Sequence, residues 1–414
     1  MKKMFLLTIS IFISVSFSDE FVEATTTIGG YGELHWDMEG EAMDFHRFIV
    51  FINHNFDDRW AMKSEVELEH NMAGASEGGY IALEQAYITY MANNWDFKGG
   101  VILAPVGIIN ETHEPPTFLS VERPDYAKYI VPTTWFGNGL QFNYNLGDFG
   151  FGVTMMEDIV GGYLDNDGTG WDGGAAKDGK YAFRSGRGKG DDSHATDLTK
   201  VLGFSWAGLE GLKVAGSMAM NNMPVFWDDG DDWTLMDESV GLSLTEFNIQ
   251  YNNHNFVAVF ETGNGEFEVD GWNTMYAGTT INHACGTNDV AQAGWEGTEA
   301  GCTETYSFDT ITTMDQKAFK GMRLDLGYNI GSLLGDDCDL TLWTRMTSWD
   351  SNTKVNDSKN VGEVSKSLFG ITWKPKNNIS FKMTMGTKDI EWTDSNGAQS
   401  SSSDVMNLGI GYMF

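Results

Sequence analysis

Apolar and polar residues alternate with a period of two along most of this chain, in segments of about ten residues that run from Thr25 to Phe414. Neighbouring side chains of a strand point to opposite sides, so this alternation builds sheets with one apolar and one polar face. The last eleven residues, DVMNLGIGYMF, show it most clearly. Met406, Leu408, Ile410, Tyr412 and Phe414 share one face, and Val405, Asn407, Gly409, Gly411 and Met413 share the other. Near residue 65, Met62, Ser64, Val66 and Leu68 alternate with Lys63, Glu65, Glu67 and Glu69. Further on, Leu340, Leu342 and Met346 oppose Thr341, Trp343 and Arg345, and Ile379, Phe381, Met383 and Met385 oppose Ser380, Lys382 and Thr384.

The pattern predicts strands over 25–38, 45–56, 60–71, 80–91, 96–106, 135–146, 149–157, 199–207, 211–221, 241–251, 255–264, 318–329, 339–349, 363–374, 378–388 and 404–414. The segment 255–264 alternates poorly, and its faces are not assigned. Connections are short and long by turns. The tight ones fall at Asp57–Arg59, Asn93–Trp95, Gly147–Asp148, Gly208–Glu210, Asn252–His254, Ile330–Cys338 and Lys376–Asn377. The long ones span 107–134, 158–198, 222–240, 265–317, 350–362 and 389–403. An even strand count with this asymmetry predicts an all-β fold, a 16-stranded antiparallel transmembrane β-barrel with both chain ends on one side. A charge on the lipid face near mid-membrane costs ~2–4 kcal/mol, so the charged faces are expected to line the lumen.

The chain opens with MKKMFLLTISIFISVSFS, in which Lys2 and Lys3 precede an apolar run that ends at Ser16 and Ser18. This reads as a signal peptide over residues 1–18, leaving 19–414 as the barrel. No later stretch offers the ~20 continuous apolar residues that a spanning helix needs. Glycine is plentiful at 49, proline scarce at 7, and aromatic residues make up 13%. That mixture suits many strands joined by turns. The net charge of −33 becomes −35 once Lys2 and Lys3 leave, which excludes a nucleic-acid binder. Residues 264–316 hold nine acids and no Lys or Arg, and 222–240 hold six more acids, again without a base. Cys285 and Cys302 are the candidate disulfide pair within the first of these stretches, which would leave Cys338 single.

Little in the chain suggests catalysis. His113 and Glu114 begin a zinc-protease pattern, but the fifth place is Thr117, and Pro115 and Pro116 break the helix that such a site requires. No nucleophile elbow is present. DNDGTGWDGG, Asp165 to Gly174, carries the oxygen ligands and the glycine of a calcium loop, but Ala176 stands where the bidentate Glu belongs. A solvated acidic loop that bridges lipopolysaccharide loosely through divalent cations fits it as well. No cofactor and no metal site is expected. A lipase-like barrel enzyme and a surface adhesion or receptor barrel stand as the alternatives to a channel.

The segment VGIINETHEPPTFLSVERPDYAKYIVPTTW, Val106 to Trp135, is the most specific internal motif. Pro115, Pro116, Pro124 and Pro132 forbid regular ladder pairing there, and Glu111, Glu114, Glu122, Arg123, Asp125 and Lys128 give it a mixed-charge set. It closely resembles the segment after the fifth strand of the phosphate-selective porins (the porin O and P family). YAFRSGRGKGDDSHATDL (181–198), YGELHWD (31–37) and LEQAYI (83–88) are similar to that family too. The terminal Phe414 resembles the closing residue of bacterial outer-membrane barrels, where it belongs to the assembly signal.

The resemblance implies a trimeric porin of a Gram-negative-type outer membrane, exported and processed, set in lipid and lipopolysaccharide by the barrel assembly machinery. It also implies a third loop folded inward to narrow the pore, which makes Glu111, His113, Glu114, Glu122, Arg123 and Lys128 the candidate constriction residues. The alternative for each is a charge paired within the loop for rigidity. An anion such as phosphate would need basic partners in the lumen. Arg47, Lys63, Lys213, Arg323, Arg345 and Lys382 lie on inward phases, and Arg184, Arg187 and Lys189 join them if the fourth loop dips in. Glu65, Glu67 and Glu69 share the face of Lys63, and Asp325 that of Arg323, so the sign of any selectivity stays open. The function expected is a passive channel for small hydrophilic solutes or ions.

Overall fold

The computed structural model describes residues 24–72, 79–164, 171–177, 183–190, 193–228, 233–268, 280–284, 303–307, 318–334, 339–350, 353–355, 359–394 and 397–414. Sixteen long strands form the barrel. They are β1 (Thr25–Asp37), β2 (Ala42–Asn55), β3 (Trp60–Glu69), β4 (Ile81–Met91), β5 (Trp95–Leu103), β6 (Phe136–Leu146), β7 (Phe149–Met156), β8 (Thr199–Leu209), β9 (Leu212–Asp228), β10 (Trp233–Asn253), β11 (Phe256–Glu268), β12 (Ala318–Asn329), β13 (Asp339–Asp350), β14 (Lys359–Lys376), β15 (Ile379–Asp394) and β16 (Gly397–Met413). Each pairs antiparallel with the next, and β16 pairs with β1, so the sheet is closed and has no free edge.

Closure runs from Tyr31 opposite Met413 to Asp37 opposite Asn407. Phe414 extends the seam by one residue. Its N–H donates to the Gly30 carbonyl at 2.9 Å and its carbonyl accepts from the Gly30 N–H at 3.1 Å. Its ring stacks on Phe48 with centroids 5.9 Å apart. Glycine is required at position 30, because a Cβ there would sit 2.1 Å from the Ile49 carbonyl oxygen and 2.9 Å from the Phe414 ring. Removing Phe414 deletes two main-chain hydrogen bonds and a ring contact, together about 2–4 kcal/mol. The truncated chain is therefore expected to melt at lower temperature and to fold in lower yield, read from the heat-dependent shift of the barrel on a gel.

The alternation sorts as its chemistry demands. Ile410, Phe381, Leu342, Met346, Phe369 and Ile371 stand exposed on the outer face, as do Leu140, Phe142, Phe149, Phe151, Leu202 and Phe204 elsewhere round the barrel. An apolar belt of this extent is far larger than the patches soluble monomers tolerate, and it marks the surface that lipid covers. Aromatic rings line the rim at the short-turn end. Trp60, Tyr90, Trp95 and Phe142 follow one another with centroids 4.8, 5.3 and 5.7 Å apart, the girdle expected at a membrane interface. The turns there are tight for local reasons. Asp57 accepts hydrogen bonds from the backbone N–H groups of Arg59 and Trp60 at 2.8 and 2.6 Å, and His254 and Asn255 both adopt positive φ, as a two-residue hairpin demands.

The structure corrects three of the long connections. Much of 222–240, 350–362 and 389–403 continues the strands, so that β9, β10 and β14–β16 run 16 to 21 residues each. The acids and serines of those stretches mark contact with water, and a hairpin standing clear of the membrane satisfies its own backbone while both faces are wet. The remaining long connections hold as such where they are described. Residues 1–18, Cys285, Cys302 and Cys338, and residues 165–170 of the calcium-like stretch lie outside the described residues.

Candidate functional site

The segment between β5 and β6 lies inside the barrel. Its prolines keep it from pairing as a strand, which leaves its backbone groups to find partners on the wall. Those partners sit on the inward faces of strands far round the barrel. The Ile108 N–H donates to Glu261 Oε1 on β11 at 2.9 Å, and the Val121 N–H donates to Thr384 Oγ1 on β15 at 3.0 Å. Thr372 Oγ1 on β14 donates to the Leu119 carbonyl at 2.5 Å, and Lys382 Nζ on β15 to the Pro115 and Ser120 carbonyls at 2.5 and 2.9 Å. Lys366 pairs with Asp125 at 2.8 Å. Apolar contacts continue the fit. Tyr129 stacks on Trp349 at 4.7 Å, Tyr126 and Ile130 lie where a Cβ on Gly263 or Gly321 would be, and Val121 and Pro115 cover Gly409 and Gly411. With Trp135, Phe183, Leu242, Leu244, Phe267 and Phe319, the Tyr126, Tyr129, Ile130 and Trp349 side chains make an apolar core within the barrel, toward its long-loop end.

The loop is thus held mainly against β11–β16, with further contacts to β1, β3 and β4. Open space remains beside β5–β10 and along parts of β2–β4. A cavity of about 330 Å³ lies between Gly107–Thr112 of the loop and the inward residues of β5–β10, among them Asp96, Lys98, Gln141, Asn143, Lys213 and Asn248. A second, of about 280 Å³, is lined by Lys63, Gln85, Tyr87, Lys98, Glu111, Glu114 and Gln141. Lys98, Glu111 and Gln141 border both, and they mark where loop and wall come together across the open path. Enclosure raises the Glu111 carboxyl above its ordinary range, an effect that the ammonium groups of Lys98 and Lys213 oppose.

The residues singled out from the sequence divide sharply. Glu111, Glu114, Lys63 and Lys213 border the open path. Lys98 joins them and was missed, although its phase opposite Phe97 on β5 carried the same inward signal as Lys63. His113 is buried, with Nε2 at 3.3 Å from Glu65 and 3.6 Å from Glu84. Glu122 accepts from His35 Nδ1 at 2.7 Å. Arg123 is half-buried, and Lys128 is exposed at the short helix Tyr126–Tyr129, its ammonium 5.8 Å from the Tyr129 ring.

Most of the basic residues proposed for the lumen do point inward, yet they are engaged with protein. Arg47 pairs with Glu33 at 2.6 Å and Glu67 at 3.3 Å. Arg323 pairs with Glu261 at 2.7 Å and Asp325 at 3.2 Å. Arg345 grips Asp325 through two hydrogen bonds of 2.7 Å and also donates to the Ser120 hydroxyl. All three guanidinium groups are buried. Lys382, besides its two carbonyls, lies 3.8 Å over the Phe118 ring. The fourth loop does reach the third. Arg184 donates to the Thr133 carbonyl at 3.0 Å and Arg187 to the Thr134 carbonyl, while Lys189 lies over the Tyr80 and Phe136 rings.

One further group escaped the sequence reading. At the long-loop end of β1–β3, Asp44 Oδ2 lies 3.0 Å from His46 Nδ1 and 2.9 Å from His70 Nδ1, and His35 stacks on His46 at 4.8 Å. Pairing of His46 and His70 across adjacent strands creates the group, so no local spacing announces it.

No protein-family model matches the chain. An uncharacterized protein of Aquifex aeolicus (strain VF5) is 40% identical over 126 residues, which is 29% of this chain and 29% of that protein's length. Solved structures share the fold across nearly the whole chain at low identity. The outer membrane channel DcaP of Acinetobacter baumannii aligns over 96% of this chain and 99% of its own, with a TM-score of 0.53 and 12% identity. An anion-selective porin from Comamonas acidovorans aligns over 95% and 100%, with a TM-score of 0.51 and 10% identity. The trimer form of OmpT, an outer membrane protein of Vibrio cholerae, gives the same coverage, TM-score and identity.

Proposed function

We propose that this chain is a passive channel of a bacterial outer membrane, through which small hydrophilic solutes and ions diffuse. The observation that carries this reading is the open path between the third loop and β3–β10, walled by Lys63, Lys98, Lys213, Asp96, Glu111, Glu114, Glu246 and uncharged polar groups. Solved structures of similar fold include an outer membrane channel and an anion-selective porin, which agrees with it. The trimer form of a third supports assembly as a homotrimer. Export behind a signal peptide over 1–18 and insertion by the barrel assembly machinery, with Phe414 as part of the signal, complete the proposal. No catalytic step belongs to it.

A phosphate site is the weaker form of this proposal. Phosphate recognition relies on guanidinium forks and clustered ammonium groups, whereas Arg47, Arg323 and Arg345 are each committed to carboxylates. Along the open path three lysines face four acids, Asp96, Glu111, Glu114 and Glu246, which favours weak discrimination by charge. Purified protein in a planar bilayer should give stepwise conductance, a reversal potential near zero in a salt gradient, and chloride current that phosphate does not block. Folded protein without channels would overturn the proposal, and phosphate block would restore the phosphate site.

Selectivity should also move with pH. Glu111 faces Lys98 and Lys213, with Asp96 and Glu246 on the same water path. A carboxyl raised above its ordinary range takes up its proton at a higher pH than a free carboxylate. Acidification is therefore expected to shift the reversal potential toward anions, beginning above the ordinary carboxylate range. Glu111→Gln should remove the early part of that shift.

A further inference from the structure

His113 is buried between the third loop and the wall of β3 and β4, and it does not line the open path. Its Nδ1 lies 3.0 Å from the Asn110 carbonyl oxygen, which only accepts, so Nδ1 carries the proton and the neutral ring presents the Nε2 lone pair to the two carboxylates beside it. Facing Nε2 are Glu65 Oε1 at 3.3 Å and Glu84 Oε2 at 3.6 Å. The other oxygen of each carboxylate is already engaged: Glu65 Oε2 accepts from Gln85 and Glu84 Oε1 from Thr134, both at 2.5 Å. Glu84 Oε2 accepts no hydrogen bond although it is fully buried.

This arrangement is poor as a hydrogen-bonded cluster and good as a ligand set. Two carboxylates share one imidazole, which leaves them a positive charge short even when the ring is protonated. The nearby guanidinium groups act on the cluster without bonding to it: Arg47 is committed to Glu33 and Glu67, and Arg123, within electrostatic reach of Glu65 and His113, forms no ion pair with Glu65 or Glu84 among the described contacts. Ligands placed ~2.0–2.1 Å from a tetrahedral ion lie about 3.3–3.4 Å from one another, close to the two separations seen. The Asn110 carbonyl, Gln85 and Thr134 stand where outer partners orient metal ligands, and the Tyr31 hydroxyl adds a long hydrogen bond, 3.4 Å, to Glu65 Oε1.

We propose that His113 Nε2, Glu65 Oε1 and Glu84 Oε2 form a site for a first-row divalent cation of the zinc class, which pins the third loop to the barrel wall. An imidazole nitrogen with only two carboxylates suits zinc and its neighbours and does not suit calcium, which takes six to eight oxygen ligands. The site is separate from the abandoned zinc-protease pattern, since its two carboxylates come from other strands. It is also independent of what the channel conducts.

The test is metal content after folding. Wild-type chain refolded with zinc and then dialysed against EDTA is expected to retain about one zinc per chain and to melt at a higher temperature than the same chain refolded in EDTA. Glu84→Gln and His113→Gln, shown to be folded by their gel shift, should lose zinc at least tenfold. The double variant His46→Asn, His70→Asn, which disables the cluster at the long-loop end, should keep it. Wild-type barrel that holds no zinc and melts identically in both preparations overturns the proposal, and that comparison needs no substitution. Zinc that persists in Glu84→Gln, or that departs with the His46/His70 pair, overturns it too.

Discussion

Arg345→Met is expected to lower the stability of the barrel by about 3–5 kcal/mol and to loosen the third loop, the usual outcome when one member of a buried ion pair is removed. Arg345 is buried, and its two bonds to Asp325 and one to Ser120 join β12, β13 and the loop at a single point. Its loss leaves Asp325 with only the longer contact to Arg323, whose own charge is shared with Glu261. Methionine fills much the same volume, so the effect measured is that of charge and hydrogen bonding. Arg345→Lys should fall between, because one ammonium cannot reproduce the fork. Melting on a gel reads the stability, and current noise in a bilayer reads the loop. Unchanged melting and quiet, unaltered conductance in Arg345→Met would show that the clamp carries no weight.

The second large effect is expected in permeation. Lys98→Glu with Lys213→Glu changes by four charges the lining of the open path beside Glu111 of the third loop. Three lysines facing four acids become one lysine facing six. Charges along a wet path are screened beyond ~8 Å at physiological salt, so only those at the narrow stretch act on a passing ion. The reversal potential in a tenfold salt gradient should move toward the cation limit of ~59 mV, and conductance in dilute salt should rise. The variant is expected to fold normally, since neither lysine takes part in the buried ion pairs. A reversal potential unchanged in both dilute and concentrated salt would place the narrow stretch elsewhere.

Strand positions and faces could be read from the sequence because lipid outside and water inside impose one rule on every strand. The third and fifteenth strands obey it residue by residue. Strand ends were less legible. In β9, β10 and β14–β16 the polar composition that marks a loop in most proteins also suits a hairpin standing in water, and only the ladder distinguishes the two. Inward direction was legible for Arg47, Arg323, Arg345 and Lys382, but availability was not. Whether an inward guanidinium meets solute or protein depends on which carboxylates pairing brings beside it, such as Glu33 and Glu67 for Arg47 and Glu261 for Arg323. The same limit hid the Glu65 and Glu84 partners of His113 and the Asp44, His46 and His70 group, whose members lie together only after strands pair.

The third loop has one more consequence. It is fastened along its whole length to β1, β3, β4 and β11–β16 by hydrogen bonds, ion pairs and stacked rings, and the fourth loop holds its returning end through Arg184 and Arg187. A segment anchored at so many separate points has no second resting place of similar energy, and moving it would require many contacts to break at once. As a channel, then, this protein would be a fixed aperture rather than a valve. A cell that uses it would tune uptake by the number of copies it inserts, and the width of each hole would be settled when the chain folds.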